Sequence, residues 1–263
     1  MKRRILLILL CVVFLAIAGI SGIRLYRQWQ EYRTGEESYE ALTQYVHVDE
    51  TLPAAIADTM PEPTTAAIDT PEPEVDTTVW PEVDFEALQA VNPDVVAWIF
   101  IEGTSINYPV VQGTDNSYYL DHLFDGTYNN AGSIFMDYRN ERDLSDRNTV
   151  FYGHRMQSKT MFATIVEYKN QSFYDAHPIC LIMTPNGNYK LEFFAGYVTD
   201  LNSQAWKLEF ESDEEYAQWL EEAISKSTFS SPVQPAAQDR VVTFSTCTYE
   251  YNDARYVLVG VLN

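Results

Sequence analysis

A mainly β fold with a few inserted helices, closed into one barrel-like domain, is what this sequence predicts, and three observations carry the prediction. Between Pro81 and the C-terminus, around eight short apolar or alternating segments end at Gly, Asn or Pro turn signals. The helical patterns fall singly among the strands and do not alternate with them, which argues against βα units. The chain of 263 residues is 46% hydrophobic and 14% aromatic, sufficient for a sizeable core.

In chain order, "MKRR" precedes a 19-residue uncharged run from Ile5 to Ile23, followed by Arg24, Arg27 and Trp29. At 1.5 Å per residue, such a run nearly crosses the ~30 Å hydrocarbon core of a bilayer. A cleaved signal peptide is the competing reading, since Ala16–Gly19 is a small-residue stretch. The apolar run continues past that point and meets arginines and an interfacial tryptophan, which favours an uncleaved anchor over residues 1–30. Lys2, Arg3 and Arg4 place the N-terminus in the cytoplasm and export the rest. The expected location is therefore the cell membrane, single-pass, with the globular part outside.

Residues 31–47 read as a short juxtamembrane helix. The segment from Val48 to Val83 is rich in Pro, Thr, Ala and acid and has no Lys or Arg. It cannot bury enough surface to order itself and reads as an extended stalk. The organisation expected is anchor 1–30, juxtamembrane segment and stalk 31–80, and globular domain 81–263. That domain opens with a short helix at "DFEALQAV" and a strand at "VVAWIF". "INYPVVQG" is a second strand, with Pro109 assigning it to an edge or bulge. "GSIFMDY" and "NTVFYGH" follow as strands, and residues 158–178 have helical spacing. "ICLIMTPNGNYKLEFFAGYVTD" is a pair of strands around Asn186-Gly187. "SDEEYAQWLEEAISKS" is the clearest helix: Ser212 and Glu215 form a capping box, and Tyr216, Trp219, Leu220, Ala223 and Ile224 make one apolar stripe. Two strands close the chain.

Charge and cysteine content bound the function. The formal net charge is −21, and five of the 17 basic residues lie in the first 30 positions, which hold no acid. An outer part this acidic excludes nucleic acid as a polyanionic partner. Of three cysteines, Cys11 lies in the apolar run, leaving Cys180 and Cys247 in the exported part. Either these two form one bridge, or Cys180 is a buried strand residue and Cys247 a lone reactive thiol.

The segment "VVTFSTCTYEYNDARYVLVGVLN" places Val242, Phe244 and Thr246 on one face of a strand and Thr243, Ser245 and Cys247 on the other. Taken alone, a thiol ending a small polar row is a packing group or a nucleophile. A thiol nucleophile needs a base or cationic neighbour and a donor for the oxyanion. His47 falls in the juxtamembrane or stalk region, and His122 and His177 lie in polar connecting stretches. His154 follows a glycine at the end of the strand "NTVFYGH" and shares a face with Val150 and Tyr152. Seven residues separate Cys247 from Arg255, a loop that returns Arg255 beside Cys247 across adjacent antiparallel strands. The alternative is that Arg255 merely pairs with Glu250 or Asp253. A Cys, a His and an Arg at three strand ends point to acyl transfer. No paired His/Cys ligand spacing indicates a metal, and no cofactor is expected.

These residues resemble a known family. "VNPDVVAWIFIEGTSINYPVVQGTDNSYYLDHLFDG", "GSIFMDYRN", "NTVFYGHRM", "TMFATIVEYKNQSFYDAHP" and "VVTFSTCTYEYNDARYVLVG" are similar to class B sortases over roughly residues 80–263. Phe244 stands where the family's T-L-S-T-C motif has leucine. The resemblance implies an eight-stranded β-barrel with an N-terminal helix and a long helix before the last two strands. It implies a membrane-anchored cysteine transpeptidase that cleaves an N-P-x-T-[GN]-like C-terminal sorting signal after its threonine, holds the protein as a thioester, and passes it to an amine. The partners implied are surface proteins bearing that signal and an amino group of the cell-wall precursor, or a pilin lysine if the chain is a pilin polymerase.

The resemblance further implies Cys247 as nucleophile, His154 as acid and base, and Arg255 as oxyanion donor, with Ser245 in support. Asn116, Leu120 and Trp206 are implied as lining the peptide groove. The loop "DLNSQAWKLEF" departs from the family pattern. Two other classes remain at this point, a hydrolytic cysteine peptidase and a non-catalytic surface adhesin. Papain-like and NlpC/P60-like peptidases place Cys before His, opposite to the order here.

Overall fold

The computed structural model describes residues 2–47 and 78–263, so most of the expected stalk lies outside the described residues. Helix α1 runs without interruption from Lys2 to Leu42, 41 residues. From its residues this stretch is expected to divide into an anchor and a separate short helix. No proline falls before Pro53, and nothing else in the segment stops helical hydrogen bonding, so one helix forms. Its apolar portion, with Phe14, Leu15 and Ile17, is exposed and packs on no other described element.

The other end of α1 is docked. Tyr39 and Leu42 are buried in the main core, and Glu31 accepts hydrogen bonds from Asn129 and Asn130 through its carbonyl and carboxylate (2.6–3.0 Å). After a 3-10 turn at Thr43–Tyr45, β1 (Val46–His47) pairs antiparallel with β2 (Glu82–Val83). Residues 31–47, expected outside the globular part, are thus packed against it. Their sequence is too polar to announce this, because only two side chains carry the burial.

Helix α2 (Phe85–Val91) is capped by the Asp84 carboxylate, which accepts from Ala87 N at 2.9 Å. The barrel strands are β3 (Val95–Phe100), β4 (Asn107–Val111), β5 (Ile134–Met136), β6 (Asn148–Tyr152), β7 (Ile179–Thr184), β8 (Gly187–Thr199), β9 (Arg240–Cys247) and β10 (Arg255–Leu262). They close in the order β10-β8-β7-β3-β4-β5-β6-β9, with β9 returning to β10. Six of these pairings are antiparallel; β4 with β5 and β6 with β9 are parallel. Pro109 pairs with Trp98 of β3, but β4 meets β5 only through Val110 and Val111. Its missing N–H therefore falls where one edge is free, as the sequence reading required. Residues 158–178 are less helical than their spacing suggested: only a 3-10 stretch at Thr164–Lys169 and α3 (Gln171–Ala176) form.

The interior is aromatic. Phe244 stacks against Phe151 and Phe162, with ring centroids 5.7 and 5.0 Å apart. Helix α4 (Asp213–Lys226) covers the outer face of β8, β9 and β10, burying Tyr216, Trp219, Leu220 and Ala223 over Phe194, Tyr197, Val257 and Val259. Ile224, expected in this stripe, is exposed; at 100° per residue it falls at the margin of the arc set by the other four. Ser212 Oγ accepts from Glu215 N at 3.2 Å, but the Glu215 carboxylate reaches Glu211 N, one residue before the position a capping box uses.

Leu42→Ala should lower stability by about 2 kcal/mol through the cavity it leaves, whereas Ile224→Ala should stay within about 0.5 kcal/mol. Thermal melting of the two variants checks both values.

Candidate active site

Three strand ends converge at one end of the barrel. Because β6 runs parallel to β9, with Tyr152 in register with Ser245, both strands finish on the same side. Antiparallel β10 begins there, and Arg255 lies directly opposite Cys247. Past β6 the chain stays tied to β9: Gly153 N donates to Ser245 O at 3.2 Å, and Thr246 Oγ1 donates to Gly153 O at 2.7 Å. Gly153 has no room for a side chain, since a Cβ would lie 2.7 Å from the Phe162 ring. His154 is not on the strand, as its shared face with Tyr152 implied, but just beyond its end.

His154 Nε2 lies 2.6 Å from the Leu120 carbonyl. A carbonyl only accepts, so this contact places a proton on Nε2. Arg255 Nη1 donates to Ala254 O at 3.1 Å. The ion pair with Glu250 or Asp253 that the sequence left open does not form. Glu250 is instead engaged by Lys169 and accepts from Thr248 Oγ1 at 2.5 Å. Burial would raise the Glu250 carboxyl, but Lys169 and Thr248 outweigh it and hold the pKa down at about 2. The loop is closed by Thr248 N to Ala254 O at 3.0 Å, with Asp253 in the left-handed region (φ 62°).

A cleft of about 290 Å³ opens at this end, and all seven residues singled out from the sequence line it: Asn116, Leu120, His154, Trp206, Ser245, Cys247 and Arg255. Trp206 Nε1 donates to Ser245 Oγ at 3.0 Å, so Ser245 is engaged by the loop wall. That loop is fastened from below: Trp219 Nε1 donates to Gln204 O at 2.8 Å and Asn148 Nδ2 to Lys207 O at 2.9 Å. Leu201 and Phe135 extend the apolar walls, and neither was singled out beforehand.

The larger omission is Asp137. It is fully buried and accepts from Arg139 Nε (2.9 Å) and Nη2 (2.8 Å), Asn116 Nδ2 (2.9 Å) and Tyr152 OH (3.0 Å). Burial would raise its carboxyl, but the Arg139 guanidinium and the other donors outweigh it and hold the pKa below the ordinary value. Asn116 also accepts from Tyr138 N at 3.0 Å, so both ends of its amide are committed to this network at the cleft floor. A signal was present: Tyr152 stands two residues before His154, and Asp137 directly follows β5.

All three cysteines are free thiols, which removes the disulfide alternative. Cys180 is sealed inside β7, where burial pushes its thiol up and keeps it neutral. Cys247 is only partly buried, at the cleft. His122 sits beside Asp121 and the Tyr118 carbonyl, and His177 beside the Glu102 carbonyl, both away from the cleft lining. Among the described residues no cluster of three metal-ligating side chains occurs. A thiol, an imidazole and a guanidinium around one peptide-sized groove can perform acyl transfer without further groups.

Comparison with known proteins agrees with this chemistry. The family model for the sortase domain matches residues 99–263. The chain is 40% identical to Sortase B of Staphylococcus aureus over 177 residues, 67% of this chain and 72% of that protein. It is 38% identical to Sortase B of Listeria monocytogenes over 177 residues, 66% of this chain and 72% of that one. The solved Staphylococcus aureus sortase B–substrate complex superposes with a TM-score of 0.66 at 40% identity, covering 68% of this chain and 84% of that chain.

Replacing Asp137 by Asn should destabilise the fold by about 2 kcal/mol at neutral pH, since buried donors lose a charged acceptor. A carboxyl with a depressed folded pKa stabilises above its unfolded value, near 4, and loses that contribution as pH falls through the folded value. The melting-temperature gap between wild type and Asp137→Asn should therefore narrow below about pH 4, which melts across a pH series measure directly.

Proposed function

The chain belongs to the sortase family, in its class B, and is a cysteine transpeptidase acting on proteins that carry a sorting signal; from that premise we propose a specific signal, acceptor and division of labour. The signal is of the N-P-x-T-[GN] kind, cleaved after threonine, and the acceptor is an amino group of the cell-wall precursor. The observation that carries the division of labour is the register of β9 and β10, which sets Arg255 opposite Cys247, with His154 at the neighbouring end of β6 and all three on one cleft; the signal and the acceptor follow from the resemblance to class B sortases.

The Cys247 thiolate attacks the threonine carbonyl, and negative charge develops on the carbonyl oxygen. Arg255 donates to that oxygen. His154 delivers a proton to the leaving amine as the C–N bond breaks and the thioester forms. The incoming amine then attacks the thioester, gives its proton to His154 and releases Cys247 as thiolate. Leu120 and Trp206, with Leu201, hold the apolar part of the signal, while Ser245 fixes Trp206 and Asn116 holds the floor. The exposed apolar stretch of α1 anchors the chain in the membrane, with the barrel outside.

Cys247→Ala should abolish acyl-enzyme formation with the melting temperature unchanged, because a small residue replaces a small one at the cleft edge. Mass spectrometry of the full chain incubated with N-P-x-T-x peptides and amines reads the covalent adduct and the transfer product; full activity of this variant would end the reading. Hydrolysed peptide alone, with no amine adduct, would assign the chain a peptidase activity instead.

A preorganised oxyanion donor contributes about 3 kcal/mol, roughly 100-fold in rate. Arginine's planar fork serves an oxygen and a neighbouring backbone group together, which an ammonium does not do with set geometry. Arg255→Lys should lower kcat/KM at least about 10-fold and Arg255→Ala further. Glu250→Gln and Asp253→Asn should stay close to wild type, because Glu250 is held by Lys169 and Thr248. Single-turnover acylation across the four variants decides between these outcomes.

A further inference from the structure

We propose that Tyr39, near the end of α1 and absent from the cleft lining, is a positioning residue for His154. The proposal rests on the acid and base role of His154 argued above. Two chains of contacts lead from this one buried side chain to His154, one through each end of the phenol: the first reaches the imidazole, the second the backbone carbonyl.

The first begins at the hydroxyl. Tyr39 OH donates to Gly132 O at 2.6 Å and lies 3.0 Å from Ser133 Oγ. Gly132, in the left-handed region (φ +58°), is pressed against the backbone of Tyr119 and Leu120: a Cβ there would lie 2.6 Å from each of their carbonyl oxygens. Ser133 N donates to Tyr119 O at 2.9 Å, and Ser133 Oγ donates to His122 O at 2.9 Å. The 3-10 turn Tyr118–Leu120 is thereby clamped at Gly132 and Ser133, and its last carbonyl is the 2.6 Å partner of His154 Nε2.

The second begins at the ring. Tyr39 packs edge-on against Tyr108, with centroids 5.4 Å apart. Tyr108 OH accepts from Met161 N at 3.2 Å. Met161 is a non-glycine residue in the left-handed region (φ 55°) and is bridged to Arg155, next to His154. The following amide, Phe162 N, donates to His154 O at 2.9 Å. Tyr39 thus braces both the carbonyl that holds the imidazole and the loop that carries it. An exported domain whose imidazole is set by the end of its N-terminal helix depends on that helix for turnover as well as for attachment.

The test uses the full chain and single-turnover acylation by a sorting-signal peptide. Couplings along such networks run from about 2-fold to about 30-fold. Tyr39→Phe, which keeps the ring and loses the first chain, should lower the acylation rate constant at saturating peptide at the small end of that range. Tyr39→Leu, which loses both, should lower it toward the large end, with half-saturation by peptide unchanged in each. Leu42→Ala, which removes packing from the same helix but no hydrogen bond, should lower the melting temperature and leave the rate constant alone.

The deciding comparison is made in a His154→Ala background. There Tyr39→Phe and Tyr39→Leu should cost nothing further. Unchanged rate constants for both Tyr39 variants, or the same fold-loss persisting without the imidazole, would overturn the proposal while leaving the role of His154 intact. A His154→Ala chain that acylates as fast as wild type would remove that role, and the proposal with it.

Discussion

Strands β6 and β9 lie far apart in sequence yet run parallel, with Asn148 to Tyr152 in register with Val241 to Ser245, and the rest of the site depends on that pairing. Parallel strands require a long crossover, and here the crossover contains β7, β8, α3 and α4. Once the pairing exists, the end of β6 and the end of β9 lie on one side of the barrel. The β9–β10 hairpin then needs only a short loop to bring a third residue to the same place. A one-residue slip of β9 would turn Cys247 to the opposite face and send Phe244 out of its stack with Phe151 and Phe162. Aromatic packing inside the barrel and the placement of the thiol are therefore one constraint.

Around this pairing the loops are held by polar groups that the barrel itself buries. Asn148 accepts from Thr243 Oγ1 at 2.7 Å within the sheet and donates outward to the loop bearing Trp206. Asp137 gathers Arg139, Asn116 and Tyr152 beneath the cleft. Such groups are costly to bury unpartnered and stabilise when satisfied, so each loop they hold has few alternative positions. The cleft walls are irregular in backbone but not loosely attached, so the side chains that line the cleft keep one arrangement.

Local rules read from the residues succeeded where one element's own chemistry decides. Pro109 marked a free edge, Asn186-Gly187 a hairpin, and Ser212 the start of α4, all from turn and cap preferences that act over three or four residues. They faltered at margins. Ile224 has the right residue type but the wrong angle, and residues 158–163 have helical spacing but are pulled out of helix by Tyr108 OH on Met161 N and by His154 O on Phe162 N. The docking of residues 31–47 was not legible, because its hydrogen bonds are made to Asn129, Asn130, Gly132 and Ser133 some ninety positions away.

By itself the sequence determined the strand content, the apolar N-terminal run, the chemical types available for catalysis and, through the resemblance its motifs carry, the family and the seven residues that prove to share one cleft. Only the tertiary structure decided that α1 is continuous and docked, that Glu250 belongs to Lys169 and leaves Arg255 unpaired by it, that Asp137 underlies the floor, and that Tyr39 reaches toward His154 by two routes. The physical reason is range. Periodicity, caps and turns are set by neighbours within a few residues, whereas a buried carboxylate or phenol takes its role from whichever distant donors barrel closure brings within 3 Å.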